Sequence, residues 1–158
     1  MKTATLVYPI KDNKMLVGMK KKGFGEGKIN GFGGKVEKGE TIEQAAVREL
    51  FEEISLKAKP EHLKKVAELN FYFPHLPEKG WDQVVHVYFL YNWEGLPKES
   101  DEMGYEWFEF DKFPYHKSWD DDQYWLPLVL KGKHIKGNIT FGKDGHKVEK
   151  HELTETKW

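Results

Sequence analysis

The chain has 158 residues, 39% of them hydrophobic and 15% aromatic, which suits one globular domain over residues 1–158 that buries roughly two-thirds of its unfolded surface. Lys and Arg number 25 against 26 Asp and Glu, so no overall charge recruits a polyanion or a membrane surface, and any phosphate recognition has to be local. The absence of cysteine excludes disulfides and thiolate chemistry. With no secretory apolar run near the N-terminus and no stretch of about 20 apolar residues, a soluble cytoplasmic protein with no membrane partner is expected.

Thr3 to Ile10 is β-rich, Asp12-Asn13 is turn-like and Met15 to Met19 resumes an apolar run, so the chain opens with a β-hairpin. Six glycines between Gly23 and Gly34, interleaved with Phe24, Asn30 and Phe32, mark a loop whose backbone approaches something closely, a candidate binding element. Thr41 to Ile54 is the strongest helix signal: Thr41 and Gln44 form a capping box, and Ile42, Ala45, Ala46 and Leu50 make an apolar stripe. Leu69 to Phe73, Val84 to Trp93 and Tyr105 to Phe110 read as strands, Asp122 to Lys131 as a helix, and Ile135 to Leu153 as a hairpin around Lys143-Asp144-Gly145. These elements predict a mixed sheet flanked by at least two helices, an α+β architecture.

Chemistry concentrates on the first helix. Glu49, Glu52 and Glu53 stand at i, i+3 and i+4 and project from one face, with Arg48 four residues before Glu52, placed to hold that carboxylate. Crowded carboxylates raise one another's pKa, and a hard divalent cation turns that crowding to advantage, so Mg²⁺, or Mn²⁺ in its place, fits best. Taken alone, a Glu-rich helix is more often a solvated face.

The surrounding residues overturn that bland reading. From Gly34 the chain runs GKVEKGETIEQAAVRELFEEISL: glycine, five residues, Glu40, seven residues, Arg48-Glu49-Leu50, one residue, Glu52-Glu53, and an apolar Leu56, a frame of 23 residues. It resembles the Nudix box, with Ser55 where the pattern has glycine. GMKKKGFGEGKINGFGGKVEKGETIE, ESDEM and WDDDQYW extend the likeness over nearly the whole chain to the oxidised-purine nucleoside triphosphatases of that superfamily, the 8-oxo-dGTP diphosphatases. The resemblance implies an α/β/α sandwich with a catalytic loop-helix-loop. It also implies metal binding by Glu49, Glu52, Glu53, the Gly33 carbonyl and Glu102. Catalysis would rest on Glu52, Glu49, Glu53, Arg48 and Glu102. A metal-activated water would attack a phosphorus while a box glutamate or Glu102 accepts a proton, releasing a nucleoside monophosphate and pyrophosphate.

For the base, the resemblance implies that Trp119, Asp121 and Asp122 hold the purine, and Asp120, where a relative has proline, is counted with them as substrate-binding. An aromatic face stacks, and two adjacent buried carboxylates sharing one proton offer a donor beside an acceptor. The alternative is that Asp120 to Asp122 cap the following helix. Thr5, Phe24, Asn30 and Phe71 fall where the family lines the base pocket, although Phe24 and Phe71 suit a core equally. Phe32, Gly33 and Gly34 join the substrate-binding set, and Lys20 and Lys35 add charge near the phosphates. Ala4 and Ile29 replace aromatic residues of the family, and two extra residues near Pro74 to Trp81 enlarge a loop at the expected pocket mouth.

The glycine loop has no P-loop lysine followed by Ser or Thr, the seven histidines show no zinc spacing, and the six tryptophans lie outside any basic stripe, so no stable nucleic-acid partner is expected. The expected protein is a monomer acting on a small nucleotide. The alternatives are a Nudix hydrolase of another nucleoside diphosphate derivative, such as ADP-ribose or an RNA cap, and a nucleotide-sensing module without turnover.

Overall fold

Asp12 and Asn13 both take left-handed backbone angles, φ 52° and 59°, the geometry of a two-residue turn whose twist matches that of paired strands. The turn reverses β1 (Lys2–Lys11) into β2 (Lys14–Lys20). In the computed structural model, which describes residues 1–158, the two strands pair only at Ile10 with Met15 and Lys11 with Lys14, and then part. Into the opening comes the glycine-rich segment: Val7 N–H donates to Phe32 O at 2.6 Å, Thr5 N–H to Gly34 O at 2.9 Å, and Val36 N–H to Thr3 O at 3.0 Å. The separation of β1 from β2 is thus what brings Gly33 and Gly34 alongside the sheet.

The remaining strands are β3 (Ile29–Asn30), β4 (Leu63–Tyr72), β5 (Gln83–Leu90), β6 (Met103–Glu109), β7 (His134–Phe141) and β8 (Val148–Thr156). They join in the order β3-β2-β1-β5-β4-β7-β8, with β6 also paired to β2. β1 runs parallel to β5 and β4 parallel to β7, while the other pairs are antiparallel, so the sheet is mixed.

Alternation along β1 divides the interior in two. Val7 faces α1 (Ile42–Ile54), packing with Leu16, Phe32, Leu50 and Ile54. Tyr8 faces α2 (Asp122–Leu130), joining Trp125, Leu126, Val129 and Ile139. The result is the α/β/α sandwich expected. No helix is long and apolar enough to cross a membrane.

Helix α1 begins as its sequence predicts: Gln44 N–H donates to Thr41 Oγ1 at 3.0 Å and Thr41 N–H to Gln44 Oε1 at 2.9 Å, satisfying two of the otherwise orphaned donors. It ends on Ser55 at φ 65°, a conformation that glycine takes without strain, with the Ser55 N–H bonded to Phe51 O at 2.9 Å. Leu56 is buried just beyond, so serine preserves the turn at some backbone cost.

Strand boundaries differ from expectation most at β4 and by three residues or fewer elsewhere. β4 starts at Leu63 rather than Leu69, because Lys64, Lys65 and Glu68 mask its alternation and a bulge between Lys65 and Ala67 breaks its period. Pairing with β5 on one side and β7 on the other holds it extended regardless. β5 ends at Leu90, three residues before Trp93.

Candidate active site

A cleft of about 470 Å³ runs from the Gly33–Lys35 segment to the start of α2, and it has two chemically distinct ends. At the first, the register of α1 sets out the acidic side chains, and Arg48 ties them to the preceding loop. Its Nε donates to Glu40 Oε2 at 2.7 Å and its Nη2 to Glu40 Oε1 at 3.0 Å, a bidentate pair, and Nη2 also reaches the Lys35 carbonyl at 3.2 Å. Nη1 donates to Glu49 at 3.0 Å and reaches Glu52 at 3.4 Å. The anticipated grip on Glu52 is therefore the weakest of these contacts. Arg48 first braces Glu40 and Glu49, since the fork geometry of guanidinium matches the loop carboxylate better than a neighbour on the same exposed helix face. The same hydrogen bonds hold the Glu40 carboxyl below the usual carboxylate range.

Glu53 points inward, where its Oε1 accepts from Gly33 N–H at 2.8 Å. Burial pushes its carboxyl up to about 8; the Gly33 bond opposes this, Glu49 and Glu102 add to it, and Lys20 draws it back. Glu49 is raised by burial too, with Arg48 working against the shift. Glu102, in the turn before β6, thus belongs electrostatically to the box although it lies far along the chain. The Glu52 side chain is 57% exposed. The two glycines are steric requirements: a Cβ at Gly33 would overlap the Thr5 carbonyl, and one at Gly34 would stand 2.7 Å from Glu49 Cδ. No hydrogen bond within the chain uses the Gly33 carbonyl oxygen.

This donor set suits a hard divalent cation: carboxylates and a free carbonyl, all oxygen, with one carboxyl destabilised as an anion until positive charge arrives. The side chains do not yet close on one point, since no three Asp, Glu or His groups share ligating distance of a single ion.

At the other end, Asp121 and Asp122 are both buried, at 6% and 1% exposure. Asp121 occupies the cap position of α2 but makes no side-chain capping bond; its Oδ2 instead accepts from Trp125 Nε1 at 2.8 Å. Capping therefore does not account for this carboxylate. Burial raises both carboxyls, Asp122 well above the ordinary carboxylate range with repulsion from Asp121 adding to the shift, so the pair holds a proton between them. Asp122 Oδ2 is buried without a partner. Asn30 faces the same cleft, its Oδ1 held by Tyr8 OH at 3.3 Å and by Gly31 N–H at 2.9 Å, leaving its amide NH₂ free to donate.

Thr5, Phe24, Asn30, Gly33, Gly34, Lys35, Phe71, Trp119, Asp121 and Asp122 line this one cleft. Phe71 also packs in the core, and Phe24 is 61% exposed, lying between Trp81 and Trp119 with ring centroids 5.6 and 5.5 Å away. Three expected residues, Phe32, Asp120 and Lys20, stand outside the lining of the cleft. Phe32 is fully buried beneath α1, because its backbone pairing with Val7 turns its ring into that core. Asp120 points away from the Asp121–Asp122 end of the cleft: its Oδ2 accepts from Val148 N–H at 2.8 Å and its Oδ1 from Gln123 Nε2 at 2.7 Å, pinning the start of α2 to β8. Lys20 stays near Glu53 without lining the cleft. Trp81, Phe73, Lys79 and Gln83 enter the wall unforeseen. The enlarged 74–81 loop was the available signal for Trp81.

A mixed sheet between two helices, with a loop-helix carboxylate cluster braced by one arginine, is the arrangement of a Nudix hydrolase. Residues 1–129 match the NUDIX domain family model, and the chain belongs to that family, whose members generally use divalent metals. It is 46% identical over 157 residues to the oxidized purine nucleoside triphosphate hydrolase of Danio rerio, covering 99% of this chain and 96% of that protein. It is 44% identical over 137 residues to the like-named protein of Mus musculus, covering 87% and 85%. Among solved structures, the mutator MutT protein of Bacillus halodurans superimposes with a TM-score of 0.80 at 20% identity over 97% of each chain, a likeness of fold.

Proposed function

We propose that this protein hydrolyses oxidised purine nucleoside triphosphates, 8-oxo-dGTP among them, to the monophosphate and pyrophosphate. The activity in the names of the Danio rerio and Mus musculus relatives supports this. The observation that carries it is a single cleft joining the Gly33–Gly34 backbone beside the box carboxylates to the proton-sharing Asp121–Asp122 pair.

Each end has its task. Trp119 and Phe71 offer aromatic faces to a purine, and the Asp121–Asp122 pair, with Asp121 fixed by Trp125, shares one proton so that one carboxyl donates to its edge while the other accepts from it. The amide NH₂ of Asn30 supplies a further donor. Glu49, Glu52, Glu53, Glu102 and the Gly33 carbonyl would hold Mg²⁺, or Mn²⁺ in its stead, which when bound neutralises phosphate charge and makes the attacking water more acidic. Glu53 or Glu102 would take a proton from the attacking water. Arg48 keeps the loop and Glu49 in position, and Lys20 and Lys35 draw the phosphates in. The absent glycine side chains at 33 and 34 let the triphosphate approach the box.

The test is product analysis with Mg²⁺ for 8-oxo-dGTP, dGTP, 2-hydroxy-dATP and ADP-ribose. Monophosphate and pyrophosphate from 8-oxo-dGTP support the reading. Turnover of ADP-ribose alone would overturn the assignment of the base end while keeping the box chemistry, and tight nucleotide binding without turnover would make the protein a sensor.

A further inference from the structure

Trp119 also lines a second cavity, of about 440 Å³. Lys28, His116, His146 and Lys147 stand around it, brought there by three separate segments: the glycine-rich loop, the turn before α2, and the β7–β8 turn. None of the four forms an ion pair within the chain. The one carboxylate in the wall, Asp120, has one oxygen committed to Val148 N–H and the other to Gln123 Nε2, so it is fixed as structure and does not reach across to the lysines. Ser118 Oγ is likewise occupied by the Tyr115 carbonyl at 3.0 Å. The cavity therefore presents two lysines without an ion-pair partner and two imidazoles beside an aromatic platform, with Lys28 Nζ 5.8 Å from the centre of the Trp119 ring; a further carboxylate, Asp144, accepts through its Oδ1 from the His146 and Lys147 backbone N–H groups. Trp119 is the only residue that lines both cavities.

We propose that this cavity is a second site, for a phosphate or pyrophosphate group, coupled to the purine cleft through the shared Trp119 side chain. Two lysines without an ion-pair partner and two imidazoles that can donate, gathered around one cavity, complement a compact polyanion, and a polyanion seated there draws Lys28 away from the indole face. Because Trp119 lines both cavities, occupation of one is felt in the other.

The test exploits a chemical difference between the two sites. Without a divalent cation the box carboxylates repel a polyanion, whereas the second cavity needs no metal. Inorganic pyrophosphate is titrated into metal-free protein and followed by NMR, reading the His116 and His146 ring signals and the Trp119 indole N–H. Saturable shifts of all three are expected, with affinity falling about tenfold in the Lys28→Ala/Lys147→Ala double variant and unchanged in Glu52→Gln. Both variants keep the buried core intact. Shifts confined to residues of the purine cleft, or an affinity that the double variant leaves unaltered, would overturn the site, and ring shifts that leave the Trp119 signal in place would overturn the coupling.

Discussion

At the α1 end of the cleft, Arg48 and Lys20 accompany the carboxylates, and Glu52 is open to solvent. At the α2 end, Asp121 and Asp122 are sealed against Trp125 and Tyr8, and no cation pairs with them. Equivalent functional groups thus acquire opposite properties. The first cluster is anionic and awaits added positive charge, while the second lowers its own charge by keeping a proton and so gains a hydrogen-bond donor. A carboxylate's task in this protein follows from how it is buried and which partner it is given.

Breaking the α1 end should produce the largest effect. Glu53→Gln keeps an oxygen to accept from Gly33 N–H and, like the protonated carboxyl, stays neutral in the buried site, so kcat should fall by about 10²–10⁴-fold while the melting temperature holds. A kcat within tenfold of the parent would show that this buried glutamate is not part of the chemistry. Arg48→Lys retains the charge but loses the bidentate grip on Glu40, and kcat should drop by about 10- to 100-fold, with KM less affected. Steady-state kinetics of the two variants separate the reacting group from its brace.

A pH series sharpens the contrast further. The folded-state carboxyl of Glu53, at about 8, lies above its ordinary value of 4.5, so the native protein holds a proton that the unfolded chain has already lost. Stability of the metal-free protein should therefore fall as the pH rises from about 4.5 towards 8. A cation has to displace that proton, so apparent Mg²⁺ affinity should climb by up to about tenfold per pH unit over the upper part of the same window. Calorimetric titration at pH 6, 7 and 8 checks this, and the Glu53→Gln variant should lose most of that slope.

The two ends also differ in how far they could be read from sequence. The box is local: Glu49, Glu52 and Glu53 fall on one face by helical spacing, and Thr41 and Gln44 announce the helix that carries them. Even there, spacing favoured Glu52 as the partner of Arg48, because the loop that folds Glu40 back onto the guanidinium is not a periodic element. The Asp121–Asp122 end is assembled from β1, β3, β4 and the start of α2, so Asn30 was legible as a residue type while its Tyr8 tether was not. Phe32 and Asp120 were placed by likeness to neighbours, yet backbone pairing turns Phe32 into the core and a bond to β8 turns Asp120 outward. β4 was half hidden because its lysines and glutamate obscure a pattern that pairing on both edges enforces.

The central claim is that the Asp121–Asp122 pair, and not the box, selects the base. The measurement is the ratio of kcat/KM for 8-oxo-dGTP to that for dGTP, with Mg²⁺, in the parent and in Asp121→Asn, whose amide oxygen can still accept from Trp125. The account predicts a ratio well above one in the parent that falls by about tenfold or more in the variant, with Mg²⁺ affinity unchanged. Equal loss on both nucleotides together with weakened Mg²⁺ binding would contradict it.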